Sequence, residues 1–178
     1  MKDKQIILGL NAYHADSSAA IFVDGALVAA TEEERFRRIK HWAGFPSESI
    51  KFCLGEVGCQ LEDLAAITIG RDPSAKKLNK VAFALRHPII AKSLWNQRSS
   101  NKGDIELLHE QFRLVEPDVE LEMVRGKLRF IEHHRSHLGS AFFPSPFEEA
   151  AILSIDGSGD FSTTMLASGK GNQIEVLE

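Results

Sequence analysis

The sequence is poor in cysteine and has no long apolar run. Its 178 residues include two cysteines, Cys53 and Cys59, which are too few for a disulfide framework and lack the partners of a zinc knuckle. We therefore expect reduced, buried thiols. The longest apolar stretches are interrupted by Asp24, Arg86 or Lys92 well before they could cross a bilayer. These absences exclude a disulfide-stabilised secreted scaffold and a membrane-spanning helix.

Charge of one sign is not in large excess either. The net charge of −4 gives no general attraction for nucleic acid or an anionic membrane, so neither is expected as a partner. Apolar residues make up 43% and charged residues 26%, as in ordinary soluble globular proteins. Residues 1–4 run directly into Ile6-Ile7-Leu8 without a signal-peptide cleavage pattern. We expect a cytoplasmic protein with a buried core.

A weak internal repeat begins near the N-terminus. Ile6 to Leu10 is apolar and of strand length, and the polar loop Asn11 to Ser18 follows it. Ala19 to Val23 is a second strand pattern, which the hairpin dipeptide Asp24-Gly25 joins to a third at Ala26 to Thr31. The order is therefore strand, polar loop, strand, turn, strand.

The same order recurs near the C-terminus. Ala150 to Ile155 is apolar, and Asp156-Gly157-Ser158-Gly159-Asp160 is predicted as a tight polar loop. Phe161 to Ser168 is predicted as the next strand, Gly169 to Asn172 as a turn, and Gln173 to Leu177 as the third strand. Two copies of one supersecondary unit are thus expected.

Between the copies the pattern is α/β. It predicts a helix at Glu48–Leu54, capped by Ser47 and stopping near Gly58, and then a strand at Leu64–Ile69. A second helix is predicted at Ala75–Arg98, with a break around His87-Pro88, and a polar linker follows at 99–103. A third helix at Asp104–Val115, capped by Asp104, and a strand at Leu128–Glu132 complete the pattern. Three antiparallel strands followed by alternating helices and strands are typical of a ribonuclease-H-like lobe. We expect residues 1–149 to form one such lobe and residues 150–178 to begin a second, truncated one. A sheet left uncovered is an improbable endpoint, so the chain is expected to be the N-terminal part of a longer protein.

The segment Glu132-His133-His134-Arg135-Ser136-His137 contains the most informative spacing. On a helix, His133 and His137 stand on one face about one turn apart, where both imidazoles can bind one metal ion. A His-rich helix without a metal is the alternative, and the spacing alone leaves it open.

The two polar loops are candidate anion sites. In Asp156–Asp160, glycines permit positive φ and close approach of backbone N–H groups to an anion, and the carboxylates can hold a metal or its waters. The first loop offers His14, Asp16, Ser17 and Ser18 at the corresponding place. A plain turn is the alternative for each loop. In a two-lobed arrangement the loops would face each other across a cleft suited to the phosphates of a nucleotide.

The most charged stretch is Glu32 to His41. A solvated face of mixed sign is the expected explanation. The stretch lies directly after a strand edge and before the aromatic residues Trp42 and Phe45, a position that leaves room for Arg35 or Lys40 to meet an anionic substrate instead.

Taken together, these motifs resemble the O-carbamoyltransferase family, which includes nodulation and cephamycin carbamoyltransferases and an aminoglycoside-modifying relative. The resemblance covers most of the chain and is weakest from about Asp72 to Arg125. It is carried by Ile7–Ala20, Val23–Phe36, Arg38–His41, Phe45-Pro46, Glu132–His134, His137, Ser140–Ala150 and Asp156-Gly157 with Gly159.

The resemblance implies a two-lobed actin/Hsp70-like domain, similar to the universal tRNA-threonylcarbamoylation protein. It implies that His133 and His137 bind a divalent metal, with Fe²⁺ as the expected ion, together with an aspartate located beyond Glu178. It also implies that Ser17, Ser18 and the segment Asp156–Asp160 bind the nucleotide.

The implied chemistry begins with carbamoyl phosphate and ATP, which a C-terminal domain converts to carbamoyl adenylate. The domain begun here would transfer the carbamoyl group to the hydroxyl of a small-molecule acceptor, with His14 or Asp16 as base or orienting group. We expect the remainder of the longer chain to be required for activity.

Two other functions, and a non-enzymatic role as a truncated folding or interaction module, remain as alternatives. A tRNA threonylcarbamoyl-transfer protein would share the His pair but is not expected to carry the Glu32–His41 run followed by Phe45-Pro46. A sugar-kinase-like or Hsp70-like ATPase could use the same fold but does not usually need the paired histidines.

Overall fold

The computed structural model describes residues 4–88 and 107–177. Its contacts divide the chain into two compact units. Within the described residues, the first unit comprises residues 4–69 and 107–129, and the second comprises residues 70–88 and 130–177. The predicted lobe boundary at 149/150 is a division by topology and stays a prediction.

The first unit is built on a mixed five-stranded sheet. Its strands are β1 (Ile6–Asn11), β2 (Ser18–Val23), β3 (Ala26–Glu32), β4 (Ala66–Ile69) and β5 (Leu128–Phe130), in the spatial order β3-β2-β1-β4-β5. Strand β2 is antiparallel to β1 and to β3, whereas β4 is parallel to β1. This order confirms the predicted α/β, ribonuclease-H-like topology.

The turn between β2 and β3 follows from its sequence. Asp24 and Gly25 both have positive φ, as a two-residue hairpin of primed type requires. Along β1, Leu8 and Leu10 alternate with less buried residues and face the core with Ile21 of β2. The predicted hairpin is thereby confirmed.

Four helices lie in the parts of the chain that the structure describes, besides α5 (His133–Phe142), which carries the histidines. They are α1 (Glu34–Arg37), α2 (Ser47–Val57), α3 (Lys77–Arg86) and α4 (Leu121–Lys127), with 3-10 turns at Leu61–Asp63 and Leu108–Leu114. Helix α3 ends directly before His87, where a break is predicted. The linker at 99–103 and the Asp104 cap lie outside the described residues.

The N-terminal cap of α2 differs from the prediction. Ser47 is already helical, and its Oγ accepts a hydrogen bond from Arg37 at 3.0 Å instead of capping. The carboxylate of Glu33 takes the capping role, since it accepts the N–H groups of Glu48 at 3.3 Å and Ser49 at 2.9 Å. Glu33 is fully buried, so the prediction of a solvated face is wrong at this residue, although Glu32 and residues 35–41 are exposed.

The other end of α2 is as predicted. Gly58 ends the helix with a φ of 69°, a left-handed conformation that glycine adopts without the steric cost of a Cβ. Cys53 on this helix is buried, and burial raises the pKa of its thiol to about 11. Both cysteines are free thiols, although Cys59 is only partly buried.

The second unit places helix α5 (His133–Phe142) on a three-stranded antiparallel sheet. The strands are β6 (Glu149–Gly159), β7 (Ser162–Lys170) and β8 (Gln173–Val176), in that spatial order. The core between helix and sheet contains Leu138, Phe142, Ile152, Met165 and Ala167. Across the described residues, none of the helices has the length and apolarity to span a membrane.

Candidate metal centre

Helix α5 brings the two predicted ligands together. It begins at His133, where the Glu132 side chain accepts the Arg135 N–H at 2.8 Å and Asp160 Oδ2 accepts the His133 N–H at 2.9 Å. Because the side chains are four residues apart on this helix, His133 Nε2 and His137 Nε2 approach to 3.1 Å. The helical spacing that the sequence predicts is therefore present.

Strand β6 adds a carboxylate to the pair. Asp156 Oδ2 lies 2.8 Å from His133 Nε2 and 3.6 Å from His137 Nε2. Two hydrogen bonds lower the pKa of Asp156 to about 2. The bond from His133 has the larger effect, and the 2.6 Å bond from the Gly157 N–H has the next largest. The carboxylate is therefore ionised at neutral pH.

The three side chains fit a divalent metal. Ligand atoms about 2.0–2.2 Å from a shared ion are about 3 Å apart in octahedral coordination and about 3.5 Å apart in tetrahedral coordination. The three separations of 2.8, 3.1 and 3.6 Å fall close to this range. Two imidazole nitrogens and one carboxylate oxygen are also a donor set that Fe²⁺ and related ions accept.

The structure places beside the pair a carboxylate that the sequence analysis does not assign to the metal. The sequence analysis places the third ligand beyond Glu178 and assigns Asp156 to a phosphate loop. In the structure, Asp156 already stands beside both imidazoles. The available signal was strand alternation, since Ile152 and Ser154 face the core beneath α5 and Asp156 is the next residue in that series.

The segment 156–160 is not the predicted tight loop. Strand β6 continues to Gly159, with an irregular register between Ile155 and Gly159, and the turn consists of Asp160 and Phe161. Both turn residues have positive φ, 47° and 69°, as a two-residue hairpin of primed type needs. A left-handed Phe161 is strained, so turn-residue preferences could not have located this turn.

Asp160 holds the start of α5. Besides the His133 N–H, its Oδ2 accepts the Asp72 N–H at 2.7 Å, so one carboxylate oxygen joins two chain segments. The predicted role of Asp160 in nucleotide binding stays a prediction. Its observed contacts position the first residue of the histidine helix.

Gly159 makes room for the His133 ring. A Cβ at this position would lie 2.7 Å from His133 Nε2 and would overlap the ring carbons Cδ2 and Cγ. A Cβ at Gly157, in contrast, meets no atom of the described residues within 4 Å. The space beside His133 therefore depends on the absence of one side chain.

We predict that Gly159→Ala weakens metal binding by more than about tenfold, because the added methyl group displaces a ligand ring. The change is measured as the dissociation constant for Co²⁺ in competition with a chromophoric chelator. Gly157→Ala is the matched control and is expected to stay within about twofold of wild type. Equal affinity of the two variants would contradict the prediction.

The first polar loop lies in the first unit. Asp16 Oδ1 is 2.9 Å from His41 Nδ1, and this hydrogen bond raises the pKa of His41. Ser17 is buried, and its hydroxyl donates to the Gly44 carbonyl at 2.8 Å, which is a structural role. Sequence analysis assigned no function to His41.

The other two predicted residues of this loop are placed as follows. Ser18 opens strand β2 opposite Asn11 and Glu32, and His14 is exposed. The catalytic and nucleotide-binding roles of these loop residues stay predictions.

The fold and this cluster define an α/β protein of ribonuclease-H-like topology with a candidate His/Asp metal site. The chain belongs to the carbamoyltransferase N-terminus family, whose model matches residues 6–177. The O-carbamoyltransferase identification is thereby confirmed.

Individual curated relatives match nearly the whole chain. The chain is 45% identical to sll1178, an uncharacterized protein of Synechocystis sp.. The alignment covers 94% of this chain and 28% of sll1178. This chain is also 35% identical to the nodulation protein NolNO of Sinorhizobium fredii, in an alignment that covers 94% of this chain and 23% of NolNO. The chain thus spans about a quarter of the curated relatives it matches. Among solved structures, YeaZ from Pseudomonas aeruginosa aligns with a TM-score of 0.46 and 13% identity, covering 98% of this chain and 64% of that one.

Proposed function

We propose that this chain is the N-terminal part of an ATP-dependent O-carbamoyltransferase. The complete enzyme makes carbamoyl adenylate from carbamoyl phosphate and ATP and transfers the carbamoyl group to a hydroxyl of a small-molecule acceptor. Family membership supports the carbamoyl transfer. The observation that carries the proposed site is the convergence of His133, His137 and Asp156, whose ligand atoms all lie within 4.8 Å of one another.

These three side chains are the proposed metal ligands. His133 and His137 present Nε2 and Asp156 presents Oδ2, so the donor set carries one negative charge. This set would hold a divalent ion, Fe²⁺ in our proposal, with a net positive charge, and the ion would supply Lewis-acid polarisation of a substrate oxygen. The half-exposed side chains of His137 and Asp156, 49% and 42% accessible, leave room for a substrate oxygen.

The acceptor hydroxyl needs a proton acceptor, and the first loop is the proposed source. Asp16 and His41 form an exposed hydrogen-bonded pair at 2.9 Å, in which a proton can be held between carboxylate and imidazole. Asp16 or the neighbouring His14 would accept the hydroxyl proton or orient the hydroxyl.

Residues of each polar segment are proposed to contribute to nucleotide binding. The proposed contacts come from Ser18 and the backbone of Ser17 in the first, and from Asp156, Gly157, Ser158, Gly159 and Asp160 in the second. The remaining partners are ATP, carbamoyl phosphate, the acceptor and the rest of a longer chain.

The test uses the full-length protein with ATP, ¹⁴C-labelled carbamoyl phosphate and a panel of hydroxylated acceptors. We expect transfer of label to an acceptor that requires ATP, is lost with a chelator and returns with Fe²⁺ under anaerobic conditions. Transfer of a threonylcarbamoyl group to tRNA, or ATP hydrolysis without labelled product, would contradict the proposal.

A further inference from the structure

A buried histidine lies beside the proposed ligands and is not one of them. His134 is fully buried, on the helix face that also carries Leu138 and Phe142 at four-residue intervals. This stripe packs on β6 and β7, where an apolar side chain would be the ordinary choice. A buried imidazole in this position needs a hydrogen-bond partner.

The partner of His134 is on the strand that carries Asp156. His134 Nδ1 and Ser154 Oγ are 2.8 Å apart, and Ser154 is itself only 6% exposed. Ser154 precedes Asp156 by two residues, while His134 follows His133 by one. Two bonds, His134–Ser154 and His133–Asp156, therefore join neighbouring helix residues to alternate residues of one strand, one buried and one half-exposed.

The geometry makes the first bond a restraint on the second. Residues of a helix are about 100° apart, so His134 flanks the face that carries His133 and His137. A rotation of the helix by about 20° moves side-chain atoms by about 2 Å, which is enough to break either bond. Apolar contacts of Leu138 and Phe142 pack the helix on the sheet but are non-directional, so they do not specify a hydrogen-bonding geometry. A hydrogen bond is directional and selects one rotation.

We propose that His134 and Ser154 are positioning residues for the metal centre. Their hydrogen bond sets the rotation of α5 against β6 and thereby holds His133 and His137 beside Asp156. This inference rests on the proposed function of the same site. Among the described residues, His134 Nε2 has no hydrogen-bond partner, so the bond to Ser154 is the polar contact that defines the orientation of this ring.

The experiment compares substitutions on one buried strand face. Ser154→Ala removes the hydroxyl, and Ser154→Thr retains it. Ile152→Val is the matched control, because Ile152 is equally buried two residues earlier and offers no polar group. His134→Phe repeats the test from the helix, and Ser154→Ala suffices if that variant does not fold.

The first readout is the dissociation constant for Co²⁺, measured in the full chain by chelator competition, with the visible absorption spectrum of bound Co²⁺. We expect Ser154→Ala to weaken binding about tenfold and to change the spectrum, as loss of a supporting hydrogen bond does in metal sites. Ser154→Thr and Ile152→Val are expected to stay within about threefold of wild type. Wild-type affinity in Ser154→Ala, or equal weakening in Ile152→Val, would overturn the proposal.

The second readout needs no metal. In crystal structures of metal-free protein, we expect the separation of His133 Nε2 and Asp156 Oδ2 to increase from 2.8 Å in Ser154→Ala and to be kept in Ile152→Val. An unchanged separation in Ser154→Ala would overturn the positioning role. Absence of Co²⁺ binding by the wild type would overturn the metal centre alone, so the two failures are distinguishable.

Discussion

His133→Ala and His137→Ala are each expected to lower metal affinity more than about a hundredfold, and to leave the protein without metal after dialysis. The reason is that the described site offers three ligand atoms, and removal of one leaves two donors, which hold an exchangeable ion poorly. Metal content per chain and the Co²⁺ dissociation constant measure the effect. Carbamoyl transfer by the full-length protein is expected to fall with metal content.

His137→Ala separates this effect from a loss of stability. The His137 side chain is 49% exposed, and surface substitutions usually change the free energy of unfolding by less than about 0.5 kcal/mol. His87→Ala, at an exposed histidine of the same unit, is the control and is expected to keep its metal. Full metal occupancy in both ligand variants would refute the metal centre.

Glu33→Ala is expected to lower the free energy of unfolding by about 3 kcal/mol, because it removes the buried carboxylate of a hydrogen-bonded ion pair. Glu33 Oε1 is 2.7 Å from Arg37 Nε, and Oε2 accepts the Ser49 N–H at 2.9 Å and the Ser49 hydroxyl at 3.0 Å. The substitution leaves these donors unsatisfied and the N-terminus of α2 uncapped. The Arg37 side chain is 32% exposed and can recover some hydration, which holds the cost to the lower part of the usual range.

Urea denaturation measures this loss. The control is Glu32→Ala, which removes the neighbouring, exposed carboxylate and is expected to cost less than about 0.5 kcal/mol. A Glu33→Ala protein within about 1 kcal/mol of wild type would show that the buried carboxylate is not the cap described above.

The features predicted correctly from sequence depend on local geometry. Asp24-Gly25 forms its turn and Gly58 ends α2, because positive φ is a property of the residue and its immediate neighbours. The His133–His137 spacing belongs to the same class, since a helix places residues four apart on one face whatever surrounds it. The capping of α2 is of the opposite kind. Ser47 has the right residue type and position, yet Glu33, fourteen residues earlier, caps the helix through space.

The sequence by itself therefore determined the order of the strands along the chain, the α/β class, the family and the spacing of the two histidines. Only the tertiary structure decided which side chains join that pair. Asp156 is beside His133 because α5 packs on β6 in one register, with His134 bonded to Ser154. A periodic pattern shows which face of an element is buried, whereas the convergence of side chains from two elements depends on how far each is rotated and shifted against the other.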